Sequence, residues 1–227
     1  WNNERGILYK TDDSTAAINH SLLLGNMTFE NLNEGIRVSA AGTEDIIGLT
    51  LQGCISYDNT GDGVNLSDCV GASIMGGSYH GNNRGIYLNA SADTYIGGGV
   101  HVSGNTQSGI RGSSSADGTY IGEAYIADNV TGAGGFYGIE IDGPNTYISS
   151  GCKIVDTRAT ALQGAIKVVP TATDLTIDGP TCIDYKYMAP GSSKSGPVYI
   201  PTTIPSGLVV RDVNTRGNAE DFATEAS

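Results

Sequence analysis

A repeated tetrapeptide constrains this chain more than any other feature. It reads Gly, then Ile or Val, then a variable residue, then Leu, Ile or Val. Full copies are Gly35-Ile36-Arg37-Val38, Gly63-Val64-Asn65-Leu66, Gly85-Ile86-Tyr87-Leu88 and Gly138-Ile139-Glu140-Ile141. Looser copies begin at Gly6, Gly109, Ala165 and Pro197. The anchoring apolar residues stand at 7, 36, 64, 86, 110, 139, 166 and 198, so successive steps are 29, 28, 22, 24, 29, 27 and 32 residues. A period in the twenties that tolerates insertions marks a stacked solenoid, with the extra residues absorbed in loops.

Each unit carries more than its anchor. A second strand recurs as Thr94-Tyr95-Ile96, Thr119-Tyr120-Ile121 and Thr146-Tyr147-Ile148, and a third as Val100-His101-Val102, Ala124-Tyr125-Ile126 and Cys152-Lys153-Ile154. Polar turns follow at Asp58-Asn59, Asn82-Asn83, Gly104-Asn105, Asp128-Asn129 and Asp156-Thr157. Asn tolerates the left-handed backbone region, which suits a bend, and Asn side chains stacked in register can hydrogen-bond along the stack. No segment sustains a 3.6-residue apolar period; one helical turn at residues 13–18, capped by Asp13 or Ser14, is the sole helical expectation. The pattern predicts an all-β, single-stranded parallel β-helix of about eight coils with three short strands per coil.

Residues 1–200 are expected to form the β-helix, and 201–227 a last strand and an extended tail or linker to a further domain. A loop is expected at 189–194. The start at Trp1, with no initiating Met, reads as a fragment of a longer protein. A β-helix needs its ends covered, because terminal coils expose unpaired strand edges.

Composition supports this reading and restricts partners. Gly is abundant at 33 residues, and charged residues make up only 16%. The formal net charge of −12 opposes nucleic acid and anionic membrane surfaces. No run approaches the roughly 18 apolar residues that span a bilayer. Cys54, Cys69, Cys152 and Cys182 form no CxxC pair and fit no zinc spacing, so they are expected as small buried hydrophobes. Asp58, Asp62 and Asp68 surround one turn, where turn chemistry is expected ahead of calcium; His20, His80 and His101 lie in different units. No metal and no cofactor are expected.

The pattern of Gly-Ile-x-Leu strands, Asn-bearing turns and variable coils resembles the right-handed parallel β-helix superfamily of pectate-lyase-like proteins. Its acidic, Gly/Ser/Asn-rich character over residues 6–200 is similar to the β-helix body of a bacteriophage tailspike. That resemblance implies a homotrimer, an extracellular or virion-tail location, neighbouring domains or tail proteins at the ends, and recognition or cleavage of bacterial surface polysaccharide.

Candidate chemistry follows from strand alternation. If the residue after the Gly points inward, the variable residue points out. It forms the column Leu8, Arg37, Asn65, Tyr87, Arg111, Glu140, Lys167, Tyr199. Two residues on lies a second column containing Lys10, Ser39, Ser67, Asn89, Ser113, Asp142, Val169 and Pro201. Neighbours in a column are about 4.8 Å apart. Arg and Asn fork onto sugar hydroxyls and carboxylates, and Tyr offers an apolar platform with a polar tip, so Arg37, Asn65, Tyr87, Asn89, Arg111 and Lys167 are candidate ligand-binding residues.

Glu140 and Asp142 are the candidate catalytic pair. Two residues of strand separate them by about 6.6 Å, within reach of the roughly 6.5–9.5 Å between the carboxyls of inverting glycosidases. Arg111 beside Glu140 would favour its ionised form and leave Asp142 as the acid. A lyase using Arg111 or Lys167 as base ranks below hydrolysis. Three readings stand at this point. They are a tailspike-type glycan-recognising protein, a non-enzymatic shaft or adhesin segment whose columns are solvated faces, and a secreted polysaccharide lyase or hydrolase.

Overall fold

The computed structural model describes residues 4–11, 18–40, 45–132, 137–157, 164–183, 198–200, 203–216 and 223–224. Among them every paired strand is parallel and no helix occurs. The tetrapeptide strands stack into one sheet of nine, beginning Ile7–Lys10, Ile36–Ser39, Val64–Ser67 and Ile86–Asn89. The second strands of each coil, including Tyr95–Gly97, Tyr120–Ile121 and Tyr147–Ile148, form a sheet of eight, and so do the third, including Val100–Ser103 and Ala124–Ala127. The chain therefore winds through three sheets per turn, as the repeat predicts. One addition was not foreseen. Ile18–Asn19, Ile46–Ile47 and Cys69–Val70 make a short fourth sheet over the early coils.

The expected helical turn falls outside the described residues up to residue 17, as do the loop at 189–194 and most of the tail at 218–227. After residue 200, Val209–Arg211 and Asn214–Arg216 extend the second and third sheets, and Ala223–Thr224 pairs with Val198–Ile200.

Strand alternation fixes the core. Ile36, Val64, Ile86, Ile110, Ile139 and Ile166 are fully buried, with Leu51, Ile74, Ile96, Ile121 and Ile148 from the second sheet. All four cysteines are buried and free. Burial pushes the Cys69 and Cys182 thiols up to about 12, and Cys152 higher still. Tyr79 is fully enclosed and its hydroxyl has no hydrogen-bond partner among the described residues.

Coil corners use the left-handed region. Just before the second sheet, His20, Gly48, Gly71, Asp93, Gly118, Asn145, Asp174 and Gly207 all have φ between 50° and 72°. The asparagines expected at the bends after the third sheet are not themselves left-handed. Asp58 and Asp128 are (φ 52° and 50°), and Asn59 and Asn129 come next in the chain. Freed from the bend, these asparagines form a buried ladder. Asn31 Nδ2 donates to Asn59 Oδ1 (2.6 Å), Asn59 Nδ2 to Asn82 Oδ1 (2.8 Å), and Asn105 Nδ2 to Asn129 Oδ1 (2.7 Å). Between the middle pair, the Asn82 backbone N–H donates to Asn105 Oδ1 at 2.9 Å.

This ladder explains the Gly of the tetrapeptide. A Cβ at Gly63 would stand 2.7 Å from Asn82 Nδ2, and one at Gly109 2.8 Å from Asn129 Nδ2. Neither glycine has a positive φ. Each is needed because an amide of the ladder and the carbonyl of the next coil's glycine (Gly85 at 2.7 Å, Gly138 at 2.8 Å) both crowd the place of a Cβ, and not for its conformational freedom.

Candidate functional site

The parallel register assembles the column residue by residue. Leu8 pairs with Arg37, Arg37 with Asn65, Asn65 with Tyr87, Tyr87 with Arg111, Arg111 with Glu140, Glu140 with Lys167, and Lys167 with Tyr199. Ser39, Ser67 and Asn89 align in the second column.

The face is less open than alternation alone implies. Asn65 and Glu140 are buried at 6% and 5% exposure, and Arg37, Tyr87, Arg111 and Lys167 are half-buried. The cause is a flanking column that sequence reasoning missed. Glu34, Asp62, Arg84, Ser108 and Tyr137 each stand one residue before the anchoring Gly, three before the column residue. That fixed spacing was the available signal.

These flanking residues bind the column in three knots. In the first, Glu34 accepts from Arg37 Nη1 (2.7 Å) and Arg5 Nε (2.8 Å). Burial pushes the Glu34 carboxyl up, but its own backbone N–H and the two guanidiniums outweigh this and hold it below the ordinary value.

In the second, Asp62 accepts from Arg84 Nε (2.7 Å) and Nη2 (3.1 Å) and from Asn65 Nδ2 (2.9 Å). Burial here wins over Arg84, so the Asp62 carboxyl sits above its ordinary value. Ser67 Oγ donates to Asn65 Oδ1 (3.2 Å) and Asn89 Nδ2 to Ser67 Oγ (3.3 Å). Arg84 also lies 3.7 Å over the Tyr87 ring, and Tyr87 Oη donates to Asn89 Oδ1 at 3.5 Å. Asp62 is thus fully engaged by this network, while Asp58 and Asp68 take left-handed corners. Among the described residues no three His, Cys, Asp or Glu side chains gather to hold a metal ion.

The third knot holds the candidate carboxylates. Glu140 accepts from Lys167 Nζ (2.8 Å) and Ser108 Oγ (3.1 Å). The cation in contact with Glu140 is therefore Lys167, where the sequence pointed to Arg111. Register places both beside it, and Lys167 is the one whose charged group turns onto Glu140. Asp142 is half-buried and accepts a hydrogen bond from the Thr171 hydroxyl. Tyr137 is buried behind this knot, with Lys167 Nζ 5.7 Å from its ring and Tyr199 at 5.8 Å.

Arg111 lies between the second and third knots. Arg37, Arg84 and Lys167 each have a carboxylate partner. The Arg111 guanidinium has no ion pair or hydrogen bond among the described residues, and its Nε is sealed from solvent without an acceptor. The site therefore combines a fixed polar wall with one uncommitted cation.

The chain belongs to the family described as right handed beta helix region, which it matches over residues 5–181. No curated protein matches it. Among solved structures it is similar to the A-module of the Azotobacter vinelandii mannuronan C-5 epimerase AlgE6, at 16% identity and a TM-score of 0.62, over 87% of this chain and 58% of that one. It is also similar to the A-module of AlgE4 from the same organism, at 14% identity and a TM-score of 0.59, over 85% of this chain and 56% of that one. The chain thus spans little more than half the length of either A-module. At this identity the likeness is one of fold.

Proposed function

We propose that this chain is a tailspike-type receptor-binding protein that recognises bacterial surface polysaccharide along the column Arg37, Asn65, Tyr87, Asn89, Arg111, Lys167, and depolymerises it. The polysaccharide is an acidic one. The uncommitted guanidinium of Arg111 carries the reading. A half-buried Arg without an acceptor is costly unless a ligand supplies one, and its planar fork matches a sugar carboxylate. That this fold is shared with modules of enzymes named for acting on mannuronan agrees with a carbohydrate ligand.

In the cleavage step Asp142 gives its proton to the glycosidic oxygen as the bond to the anomeric carbon breaks. Glu140 takes a proton from the water that attacks the opposite face, and the configuration inverts. The homotrimer, the virion-tail or extracellular location and the neighbouring tail proteins are parts of the same proposal.

Titration calorimetry with acidic capsular polysaccharides and with mannuronate oligomers tests binding. Arg111→Gln is expected to weaken it about tenfold or more, the value of one charge-assisted hydrogen bond. Equal affinity of the variant would remove Arg111 from the site. Release of reducing ends, lost in Asp142→Asn and Glu140→Gln, tests cleavage. Unchanged turnover in Asp142→Asn sinks the catalytic pair, and ultraviolet-absorbing unsaturated products would replace hydrolysis by a lyase. Absence of both binding and cleavage leaves the structural shaft. Solution mass tests the trimer.

A further inference from the structure

A second ligand site lies on another face of the molecule. The tyrosines of the Thr-Tyr-Ile repeats, Tyr95, Tyr120 and Tyr147, pair in register on the outside of the second sheet. Their rings stack on one another at 5.6 and 5.2 Å, with interplanar angles of 16° and 9°. The faces therefore cover each other; the Tyr95 hydroxyl lies against Gly97, and Tyr120 is the most exposed ring of the three, at 40%. Tyr147 Oη is anchored by donating to Asp178 Oδ2 (2.7 Å), which also accepts from Arg211 Nη2 (2.8 Å).

A cavity of about 530 Å³ opens beside this ladder. The rings lean over Gly97 and Gly122, two residues further along their own strands. A Cβ at 97 would meet Tyr95 Oη at 2.4 Å, and one at 122 would meet Tyr120 Cε1 at 2.9 Å. Small residues thus let the tyrosines lie down and leave room alongside them. The remaining wall is polar, formed by Ser149, Ser150 and the exposed Glu123. Gly151 packs against Glu123, where a Cβ would stand 3.1 Å from its Cγ. The Glu123 carboxylate has no ion pair or side-chain hydrogen bond among the described residues, and no cation lines the cavity.

We infer that this groove binds a saccharide without acidic groups, and most tightly one bearing a free amine. The exposed edge and hydroxyl of Tyr120 and the hydroxyl of the exposed Ser150 supply polar contacts for sugar hydroxyls. One unpartnered carboxylate favours an ammonium and repels a uronate, the opposite of the preference at Arg111. A single carboxylate is too few for a divalent cation, and the polar lining does not suit an apolar peptide.

The test uses the full chain titrated with three tetramers, glucosamine, glucose and mannuronate. The expected order at this groove is glucosamine, then glucose, with mannuronate binding only through Arg111. Glu123→Gln is expected to lower glucosamine affinity about tenfold, to the level of glucose. Gly122→Ala keeps the chain's charge but displaces the Tyr120 ring, and is expected to weaken both sugars. Arg111→Gln is expected to leave both unchanged. Diffuse attraction of a cationic sugar to an acidic protein would survive Gly122→Ala, and that outcome overturns the site. So does failure of the glucosamine and glucose tetramers to bind, or their loss in Arg111→Gln.

Discussion

Replacing Asn82 by alanine tests whether the asparagine ladder holds successive coils together. Asn82 is fully buried. Its Oδ1 accepts from the Asn59 backbone N–H (3.1 Å) and from Asn59 Nδ2 (2.8 Å), and its Nδ2 donates to the Ser56 carbonyl (2.9 Å). Truncation leaves the backbone N–H of Asn59, a residue only 2% exposed, without its acceptor, and leaves Asn59 Nδ2 with Ser56 Oγ at 3.1 Å. An orphaned buried donor costs about 1–3 kcal/mol, so the variant should lose about 1–3 kcal/mol. One water entering the vacated volume would restore part of this and push the value toward the lower end. The neighbouring Asn83 is half-buried and has no side-chain hydrogen bond among the described residues, so Asn83→Ala should stay within about 0.5 kcal/mol. Urea unfolding followed by far-ultraviolet circular dichroism measures both. A loss below about 1 kcal/mol for Asn82→Ala, or equal losses for the two variants, would show that the ladder does not stabilise the stack.

Two further predictions concern the interior. Tyr79→Phe deletes a buried hydroxyl with no partner among the described residues and should raise stability by about 1 kcal/mol; a loss of similar size would reveal an acceptor for it. Cys69, Cys152 and Cys182 should resist a thiol reagent at pH 8 until the chain unfolds. Their folded pKa values lie above the ordinary 9.0, so their contribution to stability is complete below that pH and falls as pH rises from it toward about 12. Stability that is flat between pH 8 and 11 would contradict this.

The sequence made the stacking and the column legible for one physical reason. In-register parallel strands convert a repeat position directly into a row in space, so Arg37, Asn65, Tyr87, Arg111, Glu140 and Lys167 aligned as their spacing required. Side-chain pairing was less legible. Glu34, Asp62 and Tyr137 sit outside the strands, where two-residue alternation says nothing about direction. Glu140 had cations on both sides in register, and only the side-chain directions in three dimensions show that its partner is Lys167. The bends misled in a different way. Asn was assigned the left-handed position at the bends after the third sheet, but Asp58, Gly81, Gly104 and Asp128 occupy it there, and the asparagine that follows turns its amide into the ladder. The tyrosine groove was hidden because Thr-Tyr-Ile-Gly reads as an ordinary strand end. The cavity appears only when Gly97 and Gly122 are seen beneath the rings.

The one-to-one register across all three long sheets has a consequence for how such a molecule changes over generations. Each coil contacts only the coils next to it. Duplicating a coil therefore leaves every existing neighbour relationship on either side intact and adds one side chain to each surface row, lengthening it by about 4.8 Å. The length of the Arg37–Lys167 row is then counted in coils. It can grow or shrink by whole units while the chemistry at each rung stays as it was.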